Sequence, residues 1–269
     1  MSDSNGIRMN DPTDIPVNAD EFQRRLAYSV RKWKDEGRRG CWIKLTKPLF
    51  HHLSCCVSLG FNVHHGNEQY VMLEQWLSVD REESMIPQYA YSYIGAHAVI
   101  LNDRNQLVVM KEHYRNQQWK LPGGAVDVGE HASTAAVREA KEETGLDCEF
   151  MGVLSVRHLL DFRFGNTCDI SMICVLKPKD SKQEFNPLHL NEVKDVQWMD
   201  VDQFIASEKH VFFGSEQENL NILKAASNWM STHWDDPHSK EAQRDNPCFQ
   251  KFKQTHPFRE NAEIALYHR

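Results

Sequence analysis

The sequence predicts an α/β protein made of two successive units, and three observations carry that prediction. Apolar residues recur at helical spacing near the start, at Phe22, Leu26, Val30 and Trp33. Short apolar runs bounded by turn residues then alternate with helical stretches along most of the chain. A charged joint containing proline, DREESMIPQ at 80–88, separates two differently patterned parts. With 269 residues, 41% of them hydrophobic and 10% aromatic, the chain is long enough to bury two cores.

Residues 1–17 are polar and carry Pro12 and Pro16, which predicts a flexible tail. A helix begins near Asn18 or Asp20 and stops at Gly37. GCWIKLT (40–46) reads as a strand, and KPLFHHLSCCVSLG (47–60) as a helix with proline in its first turn and glycine at its end. FNVHH and QYVMLEQWL read as strands around a turn at Gly66-Asn67, completing a small α/β unit over 18–79. Beyond the joint, YIGAHAVILN and QLVVMKEH are apolar strands flanking the turn DRN. A glutamate-rich helix follows Gly123-Gly124. CEFMGVLSVRHLL, DISMICVLKP and EVKDVQWMD are three more strands, and SEQENLNILKAASNWMS (215–231) is a helix, closing a second domain over 89–232. The last stretch, 233–269, is polar and broken by prolines 237, 247 and 257, so it reads as an extended or loosely docked extension.

The formal charge of −7 argues against non-specific nucleic-acid binding, which needs a basic footprint. It leaves room for a small anionic substrate, because a metal ion reverses the local sign. Seven cysteines without a CxxC pair predict reduced thiols. No apolar signal core opens the sequence, and no stretch approaches a membrane span of about 20 apolar residues. The expectation is a soluble intracellular protein, cytoplasmic first, with nuclear and mitochondrial locations open.

The chemistry concentrates in GGAVDVGEHASTAAVREAKEETGLD, from Gly123 to Asp147. With Glu139 taken as zero on a helix, Glu143 lies about 40° to one side and Glu142 about 60° to the other. The three carboxylates share a face, with Glu130 just ahead of the helix. A solvated acidic face would explain this much, since exposed like-charge neighbours cost only a few tenths of a kcal/mol, on the order of an ordinary helix pair. The fuller pattern asks for more. Gly124 is followed after five residues by Glu130, and after seven more by Arg138-Glu139-Ala140-Lys141-Glu142-Glu143-Thr144-Gly145-Leu146.

Every fixed position of that stretch resembles the box of the Nudix hydrolases. QWKLPGG, KEETGLD and DVQWMD further resemble the animal Nudix motif-6 branch and the plant ADP-ribose/NADH pyrophosphatases, over roughly residues 18–230. The resemblance implies a Nudix α/β/α sandwich around a mixed sheet, preceded by a smaller α/β pre-Nudix domain. It implies a pyrophosphohydrolase in which water attacks a diphosphate phosphorus, with Mg²⁺ or Mn²⁺ held by Glu139, Glu142 and Glu143. Glu142 either shares the cation or positions and deprotonates the water. A base from a later loop, Glu184, Glu192 or Glu208, stays open. Gly124, Glu130, Arg138 and Gly145 are implied as structural support of the box.

ADP-ribose or NADH is the first substrate expectation. HLLDFRFG holds no proline and the SQPWPFPxS array is absent, so a capped RNA end, a dinucleoside polyphosphate or a diphosphoinositol remain alternatives. A non-enzymatic regulatory scaffold is the rival class. Candidate substrate contacts are Trp119 and Phe162 for stacking, and Arg115, Arg157 and Arg163 for phosphates. The pre-Nudix stretch FHHLSCCVSLGF is a candidate homodimer surface.

Overall fold

The computed structural model describes residues 6–77, 83–90, 92–114, 118–162, 167–206, 217–255 and 263–268. The chain divides into two units, Met1–Ala90 and Tyr91–Arg269. All seven cysteines are free thiols. Among the described residues no helix is long and apolar enough to cross a membrane.

In the first unit, helix α1 (Ala19–Asp35) begins where the Asn18 side chain accepts from the Glu21 amide at 2.9 Å. It ends before Gly37, whose φ of +69° a side-chain-bearing residue resists. The strands are β1 (Gly6–Met9), β2 (Gly40–Thr46), β3 (Asn62–Gly66) and β4 (Tyr70–Trp76), in the order β1-β2-β4-β3. Alternation along β2 sends Cys41, Ile43 and Leu45 into a core with Phe22 and Leu26 of α1.

Two expectations fail in this unit. The predicted tail contains β1, which pairs in parallel with β2, and Ile15, which is buried. His52 Nε2 meets the Pro16 carbonyl at 2.8 Å and His51 Nε2 the Val17 carbonyl at 3.0 Å, so the segment is docked. Its order comes from partners 34 and 36 residues away, which composition does not register. The predicted helix over 47–60 is instead a 3-10 run, Lys47–His52, followed by α2 (Leu53–Ser58). Residues 80–82 of the joint lie outside the described residues.

In the second unit the strands are β5 (Ser92–Ile100), β6 (Gln106–Glu112), β7 (Gly123–Ala125), β8 (Cys148–Phe162), β9 (Thr167–Pro178) and β10 (Val193–Asp200). The main sheet runs β7-β5-β9-β8. It is mixed, because β5 and β9 are parallel while the other pairs are antiparallel. β6 and β10 form an antiparallel ribbon. Helix α3 (Ala132–Thr144) lays Ala132, Ala135, Ala136 and Ala140 on one face of the sheet, against Ala96, Ala98, Ile100 and Cys174. Alternate residues Val99, Ile173 and Val175 pack on the other face, against Leu223, Ala226, Trp229 and Met230 of α5 (Gln217–Thr232), with α4 (Val201–Ala206) beside them. The result is the expected α/β/α sandwich.

The C-terminal stretch is more ordered than its composition predicts. It holds α6 (Lys240–Asp245) and the antiparallel pair β11 (Gln250–Thr255) and β12 (Glu263–His268). Ala242 and Cys248 are buried in the same core, the Trp229 indole donates to the Ala242 carbonyl at 2.8 Å, and Phe249 bridges Val153. A few apolar contacts in a polar sequence dock this segment, and no periodicity announces them.

Candidate functional site

The phase of α3 is fixed at its C-terminal end. Gly145 adopts φ +81°, and a Cβ there would sit 2.3 Å from the Asn186 carbonyl oxygen. The loop after β9 meets the last turn, with the Asn186 amide donating to Thr144 at 3.0 Å and the Leu188 amide to Glu142 at 2.8 Å. These bonds satisfy helix carbonyls that otherwise lack partners. They also set the direction in which Glu139, Glu142 and Glu143 project.

Arg138 organises the acidic face. Its Nε donates to Glu130 Oε1 at 3.1 Å and its Nη2 to Glu130 Oε2 at 3.0 Å, a fork-to-fork pair. Nη1 bridges Glu139 Oε1 at 2.8 Å and Glu142 Oε2 at 3.0 Å, while Nη2 also donates to the Ala125 carbonyl at 3.0 Å. One guanidinium therefore ties the end of β7, the connecting loop and two helix carboxylates together. Hydrogen bonding to Arg138 holds the Glu130 carboxyl below its usual range. The Glu139 carboxylate lies directly on Gly124, where an added Cβ would come within 2.6 Å of its Oε1.

Glu143 takes a separate position. Its side chain is buried, and Oε2 accepts from the Gly123 amide at 2.5 Å. Lys120 Nζ stands 3.5 Å from Oε1 and also pairs with Glu112. Carboxylate oxygens of Glu112, Glu143 and Glu192 lie within 4.8 Å of one another. Burial pushes the Glu143 carboxyl up to about 7, against the pull of Lys120 and the Gly123 amide. Burial also raises Glu139, opposed by Arg138. Clustered carboxylates facing one ammonium form a hard-oxygen donor set with charge still to neutralise, which fits a hard divalent cation.

The other candidates fare differently. Trp119 packs against the core, with Lys111 Nζ 4.0 Å from its ring centre. Arg157 pairs with Asp169 and Ser171 through Nη2, each at 3.3 Å. The Phe162 side chain, Arg115, Arg163 and Glu208 lie outside the described residues, and Glu184 is exposed. Of the later-loop candidates, Glu192 reaches Glu143. Glu112 and Lys120 were missed. They come from β6 and from an isolated bridge between Met110 and Lys120, so the signal lies in strand pairing and not in any local motif.

The family described as NUDIX domain matches residues 93–219, and the one described as Nudix hydrolase domain matches residues 3–77. Nudix hydrolase 8 of Arabidopsis thaliana is 33% identical over 195 residues, covering 71% of this chain and 52% of its own length. Nudix hydrolase 2 of the same plant is 34% identical over 194 residues, with 71% and 68% covered. Nucleoside diphosphate-linked moiety X motif 6 of Homo sapiens is 33% identical over 197 residues, with 71% and 60% covered. The chain thus spans about half to two thirds of the length of these relatives.

Proposed function

Because this chain belongs to the Nudix hydrolase family, we propose that it hydrolyses a nucleoside diphosphate linked to another moiety, with ADP-ribose or NADH as first substrates. The name of the human relative describes that substrate class, and the branch resemblance narrows it. The observation that carries the reading is the buried Glu143, anchored by the Gly123 amide and converging with Glu112 and Glu192.

In this reading Glu139, Glu142 and Glu143 hold Mg²⁺ or Mn²⁺, with Glu112 and Glu192 beside them. Such a cation, when bound, screens the diphosphate and lowers the pKa of coordinated water. Arg138 keeps Glu139 and Glu142 in register with the loop. Water oxygen attacks phosphorus, the bridging P–O bond breaks, and the phosphate-bearing fragment departs. The water's proton passes to a carboxylate, either one of the helix glutamates or Glu192.

The test is a hydrolysis panel with Mg²⁺ and Mn²⁺ and products identified by mass. ADP-ribose is expected to give AMP and ribose 5-phosphate. Preferential cleavage of a capped RNA, a dinucleoside polyphosphate or a diphosphoinositol would replace the substrate assignment. No cleavage of any diphosphate would favour the scaffold role and overturn the enzyme reading.

A further inference from the structure

We infer that Lys120 is an internal counter-ion: it pairs with Glu112 and Glu143 and weakens the grip of those carboxylates on a divalent cation. The inference rests on the cation-dependent reading above and deepens it.

The three side chains are nearly dry, with Lys120 13% exposed, Glu112 11% and Glu143 3%. Their meeting is built into the backbone. Lys120 and Met110 exchange two amide-to-carbonyl bonds, both 2.9 Å, which fix Lys120 beside β6 near Glu112 at its end. The Gly123 amide takes one oxygen of Glu143 and Lys120 faces the other. A cation reaching Glu143 therefore meets an ammonium already placed there. When ionised, Glu112, Glu143 and Glu192 carry three negative charges, of which Lys120 offsets one. Without the lysine, the cation would enter a more negative cluster, and the ammonium would no longer repel it.

Lys120→Met keeps the length of the side chain and removes its charge. The full chain is titrated with Mn²⁺ alone by calorimetry, and the metal-free protein is melted in parallel. Lys120→Met is expected to bind Mn²⁺ about ten-fold tighter or more, because a like charge a few ångströms away is removed from a poorly screened site. The metal-free variant is expected to melt below wild type, with the gap closing as Mn²⁺ saturates it. Lys120→Arg, which keeps the charge, is expected to stay near wild type in cation affinity. Equal or weaker Mn²⁺ binding by a folded Lys120→Met overturns the inference, since a merely structural strut would loosen the ligands.

If Lys120→Met does not fold, the charge-balanced Glu112→Gln/Lys120→Met pair replaces it. Recovered folding supports the counter-ion, and failure of both variants overturns it. Wild type that binds no Mn²⁺ defeats the cation reading separately. The metal-free melting then decides the lysine's role: a lower melting point supports the counter-ion, and an unchanged one overturns it.

Discussion

Replacing Glu143 with glutamine separates what the site costs the fold from what it does. Burial raises the Glu143 carboxyl from 4.5 to about 7. A carboxyl with a raised folded pKa binds its proton more tightly in the folded state than in the unfolded state. Its stabilising contribution is therefore complete below pH 4.5 and is lost as the pH rises through about 7. At 1.36 kcal/mol per pH unit, keeping Glu143 ionised at pH 8 costs the metal-free fold about 3 kcal/mol. Glutamine never pays that ionisation cost. Its carbonyl can still accept from the Gly123 amide, but its NH₂ would face Lys120, which reduces the net gain to about 1–2 kcal/mol. Urea denaturation with EDTA is expected to show variant and wild type alike at pH 5.5, and the variant more stable at pH 8. Turnover is expected to fall about 10²–10⁴-fold. A variant less stable than wild type at pH 8, or one with undiminished turnover, would refute the reasoning.

Three further substitutions probe the frame around the carboxylates. Arg138→Lys keeps the charge but cannot reproduce the fork to Glu130 together with the bridge to Glu139 and Glu142. With Arg138 28% exposed, the loss in urea denaturation is expected to be about 1–2 kcal/mol, with turnover reduced at least about ten-fold. Gly124→Ala places a methyl 2.6 Å from Glu139 Oε1, so Mn²⁺ affinity and turnover are expected to fall while circular dichroism is unchanged. Gly145→Ala forces a side chain into φ +81° and toward the Asn186 carbonyl. It is expected to cost about 1–3 kcal/mol in urea and to lower turnover, because the 186–188 loop that orients the glutamates is displaced.

Most of the secondary structure was legible because its causes are local. The α1 apolar spacing, the Asn18 cap and Gly37 mark one helix in sequence, and the C-terminal glycine of α3 marks another. The run GCWIKLT marked the β2 strand, and the structure shows that its alternation buries Cys41, Ile43 and Leu45. Segments ordered by distant partners were misread. β1 needs the edge of β2, and the 242–249 segment needs Trp229 and Val153.

The same division runs through the candidate site. The sequence alone set the helix, its acidic face and the glycines that let the loop approach, because helical periodicity and backbone freedom act over a few residues. Tertiary structure alone decided that Glu112, Lys120 and Glu192 surround Glu143, and that Arg138 gathers Glu130, Glu139 and Glu142. Packing brings Glu112 of β6 and Glu143 of α3 together although 30 residues lie between them. Burial then strengthens each charge interaction by excluding water, and neither proximity nor exclusion of water is written in the order of residues.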